Sequence, residues 1–189
     1  MKRQKEDDAK LRELVLLIAT LSEGDEPFGK IKLNKVAFFS DFLAYLIFGR
    51  SITGHQYMRL PEGPAPRKLL LVIPAFRKPA EADPDIAVRV NDYYGRSQER
   101  PLALRVPNTK KFAPEEVKLV EDLVKEYWGK SAREMSSMSH RFAGWALAED
   151  RETIPYVTAM VGWRKPTDEE CKIGLALEDM AAGCLGAAM

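Results

Sequence analysis

The sequence predicts an α+β fold, mainly helical: a compact helical domain around a buried central helix, with a β-hairpin or small antiparallel sheet. Three observations predict it. Residues 30–48 (KIKLNKVAFFSDFLAYLIF) are apolar on almost every helical face and stop at Gly49, as a buried helix with a glycine C-terminus does. Two capping boxes, Ser131–Glu134 and Thr167–Glu170, mark further helix starts. Between 86 and 106 the hydrophobic period changes to two, the period of a strand.

Each element follows in order. Over 7–23, Leu11, Leu14, Val15, Ile18 and Leu21 recur at helical spacing, predicting an amphipathic first helix. Gly24 to Gly29, carrying Pro27, is a break before the central helix from Lys30 to Phe48. Residues 51–62 hold Ile52, Thr53 and Tyr57 and read as a loop or short strand. Leu69 to Ile73 is a short apolar run that period alone assigns to neither helix nor strand, ended by Pro74 and Pro79. Ile86, Val88, Val90 and then Leu102, Leu104, Val106 predict a hairpin whose long tip is YYGRSQERP. Pro114 suits the first helical position, with Glu115 and Glu116 at the positive helix start. Leu119, Val120, Leu123, Val124 and Tyr127 form one stripe running up to Gly129. Ser131 opens the next helix, Ile154 to Gly162 reads as a short strand, and Thr167 opens a terminal helix through about Gly183.

With 189 residues the chain is long enough for a substantial core. It contains no repeat or low-complexity linker, so a single domain over 1–189 is expected. Lys and Arg number 29 against 28 acids, so no net field gathers nucleic acid or an anionic membrane, and both are disfavoured as partners. The alternative nucleic-acid reading would rest on Lys30, Lys32 and Lys35, or on Arg105 with Lys110 and Lys111. The N-terminus, MKRQKEDDAKLRE, has no secretory pattern, and the longest apolar run, Phe42 to Phe48, is far too short to span a bilayer; a cytoplasmic protein is expected. Cys171, Cys184, His55 and His140 are too scattered for metal-ligand spacing, so neither a metal nor a cofactor is expected, and the thiols read as inert core residues.

On the central helix, Asn34, Phe38, Asp41 and Tyr45 fall on one side of an otherwise apolar cylinder. Asn34 and Asp41 therefore need internal partners, since a buried carboxylate without them is costly. The seam reads as wiring to loop backbone around Ser51 to Gln56 or around Ser139-His140. The competing reading is an acid–base pair of Asp41 and His140 in a hydrolase-like enzyme. No nucleophile accompanies that pair, and no phosphate loop, G-x-S-x-G, H-E-x-x-H or dinucleotide fingerprint occurs, so no catalytic residue is assigned. Gly63-Pro64-Ala65-Pro66 lacks the N–H donors a phosphate needs and reads as a stiff connection.

The order of these motifs is nevertheless distinctive. Lys32-Leu-Asn-Lys35, Phe38-Phe-Ser-Asp-Phe42, Gly49-Arg-Ser-Ile-Thr-Gly54, Tyr57 and Leu60-Pro-Glu-Gly-Pro-Ala-Pro66 resemble the opening of the Panacea (SocA-like antitoxin) domain. Phe112-Ala-Pro-Glu-Glu116, Ser131, Ser139-His140 and Trp145 are similar to its closing motifs. The resemblance covers about 8–165, leaving 86–106 as a hairpin insertion and 167–189 as a C-terminal helix. It implies no enzymatic reaction and a protein partner: a cognate small toxin neutralised by direct contact, with a ClpXP-type protease added where a member acts as a proteolytic adaptor. The family-motif residues it marks, as scaffold or as partner contacts, are Lys32, Asn34, Lys35, Asp41, Tyr57, Gly63, Pro64, Ser139, His140 and Trp145. Partner contacts are expected on Tyr93, Tyr94 and Arg96 at the hairpin tip, residue types that dominate interface energetics; the plainer reading is two tyrosines covering a core edge and a solvated arginine. His140 and Trp145, five apart, would lie on opposite sides of one helix. The small apolar tail 181–189 reads as a frayed helix end, a packing surface for a homodimer, or a protease-recognised degron.

Overall fold

The computed structural model describes residues 4–68 and 85–161. Helix α1 spans Asp8–Leu21, with the Asp7 side chain accepting a hydrogen bond from the Lys10 N–H at its start. Helix α2 spans Lys30–Phe48 and ends on Gly49 at φ 72°, the left-handed conformation that glycine adopts without a Cβ penalty. Two short strands follow, β1 (Tyr57–Met58) and β2 (Ala65–Pro66), then the hairpin of β3 (Ile86–Tyr93) and β4 (Arg96–Ala103). A 3₁₀ turn at Thr109–Lys111 leads into α3 (Pro114–Glu126), α4 (Ala132–His140) and α5 (Ala143–Leu147). Strand β5 (Thr153–Ile154) and a 3₁₀ helix at Tyr156–Val161 complete the described chain.

Helix α2 is the hub. It packs against α1, α3, α4, β2, β4 and the 3₁₀ helix 156–161. Its rings carry the core: Phe38 and Phe42 meet Tyr57 and Phe142 edge to face at centroid distances of 5.1–5.6 Å. Strand β1 is the centre of a small antiparallel sheet, pairing with β2 and β5, so Tyr57 sits opposite both Pro66 and Ile154. The mainly helical α+β architecture around a buried central helix is therefore present, with a hairpin and a second small sheet.

Four local expectations are corrected. The hairpin tip is not long: pairing continues to Tyr93↔Arg96 and the turn is only Tyr94-Gly95, at φ 51° and 73°. Two successive positive φ angles make the tight hairpin turn whose twist matches its strands. Polar residues 96–99 join the strand because much of the hairpin faces water, where alternation carries no signal. Secondly, Ile154 to Gly162 is a strand only at Thr153–Ile154; 156–161 is 3₁₀. Thirdly, the helix carrying His140 does not continue to Trp145. It stops at Arg141, and Phe142, fully buried with an extended backbone, turns its ring into the core and starts α5. Fourthly, Lys32 and Lys35 are not surface cations, being 1% and 2% exposed. The Leu69 to Ile73 run, the Thr167 helix, both cysteines and the tail lie outside the described residues.

Candidate functional site

Of the sequence-marked residues, Lys35, Gly63, Pro64, Ser139, His140 and Trp145 gather at the loop 59–64, which three side chains hold by alternate carbonyls. Trp145 Nε1 donates to Leu60 O at 3.1 Å, Ser136 Oγ to Glu62 O at 2.8 Å, and Lys35 Nζ to Pro64 O at 3.1 Å. Gly63 turns at φ 96°, and a Cβ there would lie 2.7 Å from Lys35 Cε and clash with Ser139 Oγ, so only glycine fits. Ser139 Oγ donates back to Ser136 O at 2.8 Å. The His140 ring stacks on Trp145 with centroids 3.9 Å apart and planes 11° apart, and the Arg59 guanidinium lies 4.7 Å from the Trp145 ring. The helix break at Phe142 makes that stack possible, contrary to the opposite-sides expectation.

Two titratable groups are perturbed here. Burial pulls the Lys35 ammonium from 10.5 down to about 7, with the Glu62 carboxylate acting the other way. His140 is also pushed below its ordinary value, first by burial and then by the Lys35 charge. Lys35 thus sits where its protonation changes near neutral pH. Its amine is enclosed by Gly63, Pro64 and Ser139, which suits a clasp rather than an attacking nucleophile.

Asp41 does something separate. Fully buried, it accepts from Thr53 N at 2.7 Å, Thr53 Oγ1 at 2.5 Å and Tyr57 Oη at 2.7 Å, and the same phenol reaches Ala37 O at 2.9 Å. Of the seam, Asp41 is bonded to the Ser51 to Gln56 loop, while Asn34 and Tyr45 are not. Burial raises the Asp41 carboxyl, the Thr53 and Tyr57 donors oppose that, and His55 is its nearby imidazole. His140 belongs to the other cluster, so the structure does not bring the proposed acid–base pair together. Tyr45 stacks on Tyr156 at 5.6 Å, while buried Asn34 Oδ1 lacks a hydrogen-bond partner.

Sequence reasoning missed the strongest long-range polar anchor, Arg100 on β4. Its two terminal nitrogens donate to five carbonyls of the α1–α2 turn, those of Ser22, Glu23, Asp25, Glu26 and Phe28, at 2.5–3.3 Å. Beside it, Lys32 pairs with Asp25 at 2.5 Å and donates to Lys130 O at 2.9 Å, while Asp25 accepts from Gly129 N. A lysine amid an apolar helix is a signal for such burial. The arginine gave none, because its acceptors lie more than seventy residues away.

The hairpin tip is open. Tyr94 is 84% exposed and meets Tyr93 edge to face at 4.8 Å, and Arg96 is exposed. Of the cations the nucleic-acid reading named, Lys32 and Lys35 are buried, Lys30 pairs with Glu99 and Arg105 with Glu13 and Asp85, which leaves exposed Lys110 and Lys111. Among the described residues no group of three or more His, Cys, Asp or Glu is placed to hold a metal, and no helix is long and apolar enough to cross a membrane.

A family model described as antitoxin SocA-like, Panacea domain, matches residues 33–146. That span contains α2, the clasped loop, the hairpin and α3 to α5 up to Ala146. No curated protein and no solved structure matches the chain.

Proposed function

The chain belongs to the SocA-like antitoxin (Panacea domain) family, and from that premise we propose that it is a non-enzymatic protein-binding module that neutralises a small toxin by direct contact. A proteolytic-adaptor role, handing the toxin to a ClpXP-type protease, is the variant of the same reading. One observation carries it. Within the matched span, the motif residues Lys35, Gly63, Pro64, Ser139, His140 and Trp145 tie a loop to the core. Asp41 and Tyr57 tie a second loop to α2. These are the marks of a scaffold whose shape is fixed so that its surface can be varied. Exposed Tyr94 and Arg96 and half-buried Tyr93, on a hairpin that Arg100 anchors, then supply partner contacts whose geometry is set before binding, which lowers the ordering cost of association. The test is co-expression of the neighbouring small open reading frame with and without this chain. Toxicity relieved by the chain, with the two proteins co-purifying, is the expected result. If no adjacent product is toxic and none co-purifies, the reading falls.

A further inference from the structure

A second surface lies along helix α4 and shares no lining residue with the hairpin. Helix α4 and the residue before its cap frame a groove of about 350 Å³ lined by Lys130, Arg133, Glu134, Ser137, Met138 and Arg141. Arg133, Ser137 and Arg141 are four apart, so they form one ridge of the helix, with Met138 supplying the apolar floor. Three cations face one carboxylate. That carboxylate is engaged by the capping box, Glu134 Oε2 accepting from both Ser131 N and Ser131 Oγ at 2.7 Å. Neither arginine forms an ion pair with a described residue, and the Lys130 contacts at hydrogen-bond distance are made by its backbone. Positive charge here is local, since the whole chain carries +1.

The neighbourhood selects the kind of partner. A net charge of +1 gives no extended field to gather a phosphodiester strand, and a bare sugar-phosphate backbone has no apolar side chain for Met138. A short acidic segment with apolar residues needs only the local cations and Met138.

We propose that the groove on α4 docks an acidic, partly apolar segment of the protein partner, its carboxylates meeting Lys130, Arg133 and Arg141 and its apolar residues meeting Met138. This rests on the reading of the chain as a protein-binding module and adds the chemistry of the partner.

The test uses the full chain and three fluorescein-labelled probes: a glutamate-rich peptide with a central leucine pair, the lysine-rich peptide of the same pattern, and a single-stranded oligonucleotide of equal negative charge. Fluorescence anisotropy should show binding of the acidic peptide, weakening with salt. Arg133→Glu with Arg141→Glu should reduce it about tenfold or more, at an unchanged melting temperature because both residues are exposed. Lys110→Glu with Lys111→Glu should leave it unchanged. No peptide binding, binding indifferent to the arginine reversal, or equal binding of the lysine peptide overturns the proposal. Tighter oligonucleotide binding through the same arginines overturns it in favour of nucleic acid, and a dimer dissolved by that reversal without peptide binding overturns it in favour of a second copy. The outcomes also separate from the antitoxin reading: arginine-dependent peptide binding without any co-purifying toxin removes only the toxin, whereas a toxin complex that survives the reversal removes only the groove.

Discussion

Lys35→Met tests whether a buried ammonium governs the pH dependence of stability. Lys35 titrates at 10.5 when unfolded and at about 7 in the fold, where it is 2% exposed. The folded value is depressed, so between about 7 and 10.5 the unfolded chain holds the extra proton and stability rises with pH. Below pH 7 both states are protonated and the whole cost of the buried charge is present, about 5 kcal/mol at 1.36 kcal/mol per tenfold. From pH 6 to pH 9 the wild type should gain about 3 kcal/mol from this group alone. Methionine fills a similar volume without charge but leaves Pro64 O without its donor, a loss of about 1–3 kcal/mol. The variant should therefore be more stable than wild type by about 2–4 kcal/mol at pH 6, and the two should converge near pH 9. Guanidinium unfolding followed by far-ultraviolet circular dichroism at a series of pH values gives both curves. Because other groups titrate in the same range, the difference between the proteins is the observable. Parallel curves would refute the reasoning, since they would mean that Lys35 titrates alike in both states.

Three further outcomes are expected. Gly63→Ala should cost about 2–4 kcal/mol in the same unfolding measurement, from a forced positive φ and the clash with Ser139, with part recovered by adding Ser139→Ala; a loss below about 0.5 kcal/mol would show the loop is not clamped. Arg100→Lys should lower stability by about 2 kcal/mol or more, because one ammonium cannot reach the five carbonyls that the planar guanidinium spans; wild-type thermal unfolding would contradict this. Tyr94→Ala should leave unfolding within about 0.5 kcal/mol of wild type, being 84% exposed, yet weaken the partner complex by about tenfold or more in calorimetric titration. An unaffected complex would remove the tip from the interface.

Elements marked by local chemistry were legible. The bounds of α2 and the starts of α3 and α4 follow from Gly49, Pro114 and the Ser131–Glu134 box, each acting within a few residues of itself. The wiring of Asp41 was legible in kind, because a carboxylate on an apolar cylinder needs donors and Ser51 to Gln56 was the nearest supply. The apolar helix signals that Lys35 is buried but not what it bonds, and Arg100 carries no such signal, since their acceptors lie 29 and 72–78 residues away and exist only once the chain has folded. The His140–Trp145 stack was hidden for another reason. Helical periodicity extrapolates through Phe142, but burying that ring beside Phe38 and Phe42 outweighs continuing the helix.

Arg100 also bears on the order in which the protein is made. The turn it satisfies is synthesised with the first thirty residues, whereas the guanidinium arrives more than seventy residues later. Until then, water must hydrate those carbonyls on the nascent chain. Closing so long a loop carries an entropic cost that local contacts do not offset, so hairpin docking belongs to a late, slow stage of folding. A ribosome that pauses before residue 100 would therefore hold out an N-terminal helical pair lacking its final fastening, a species for chaperones and proteases to find.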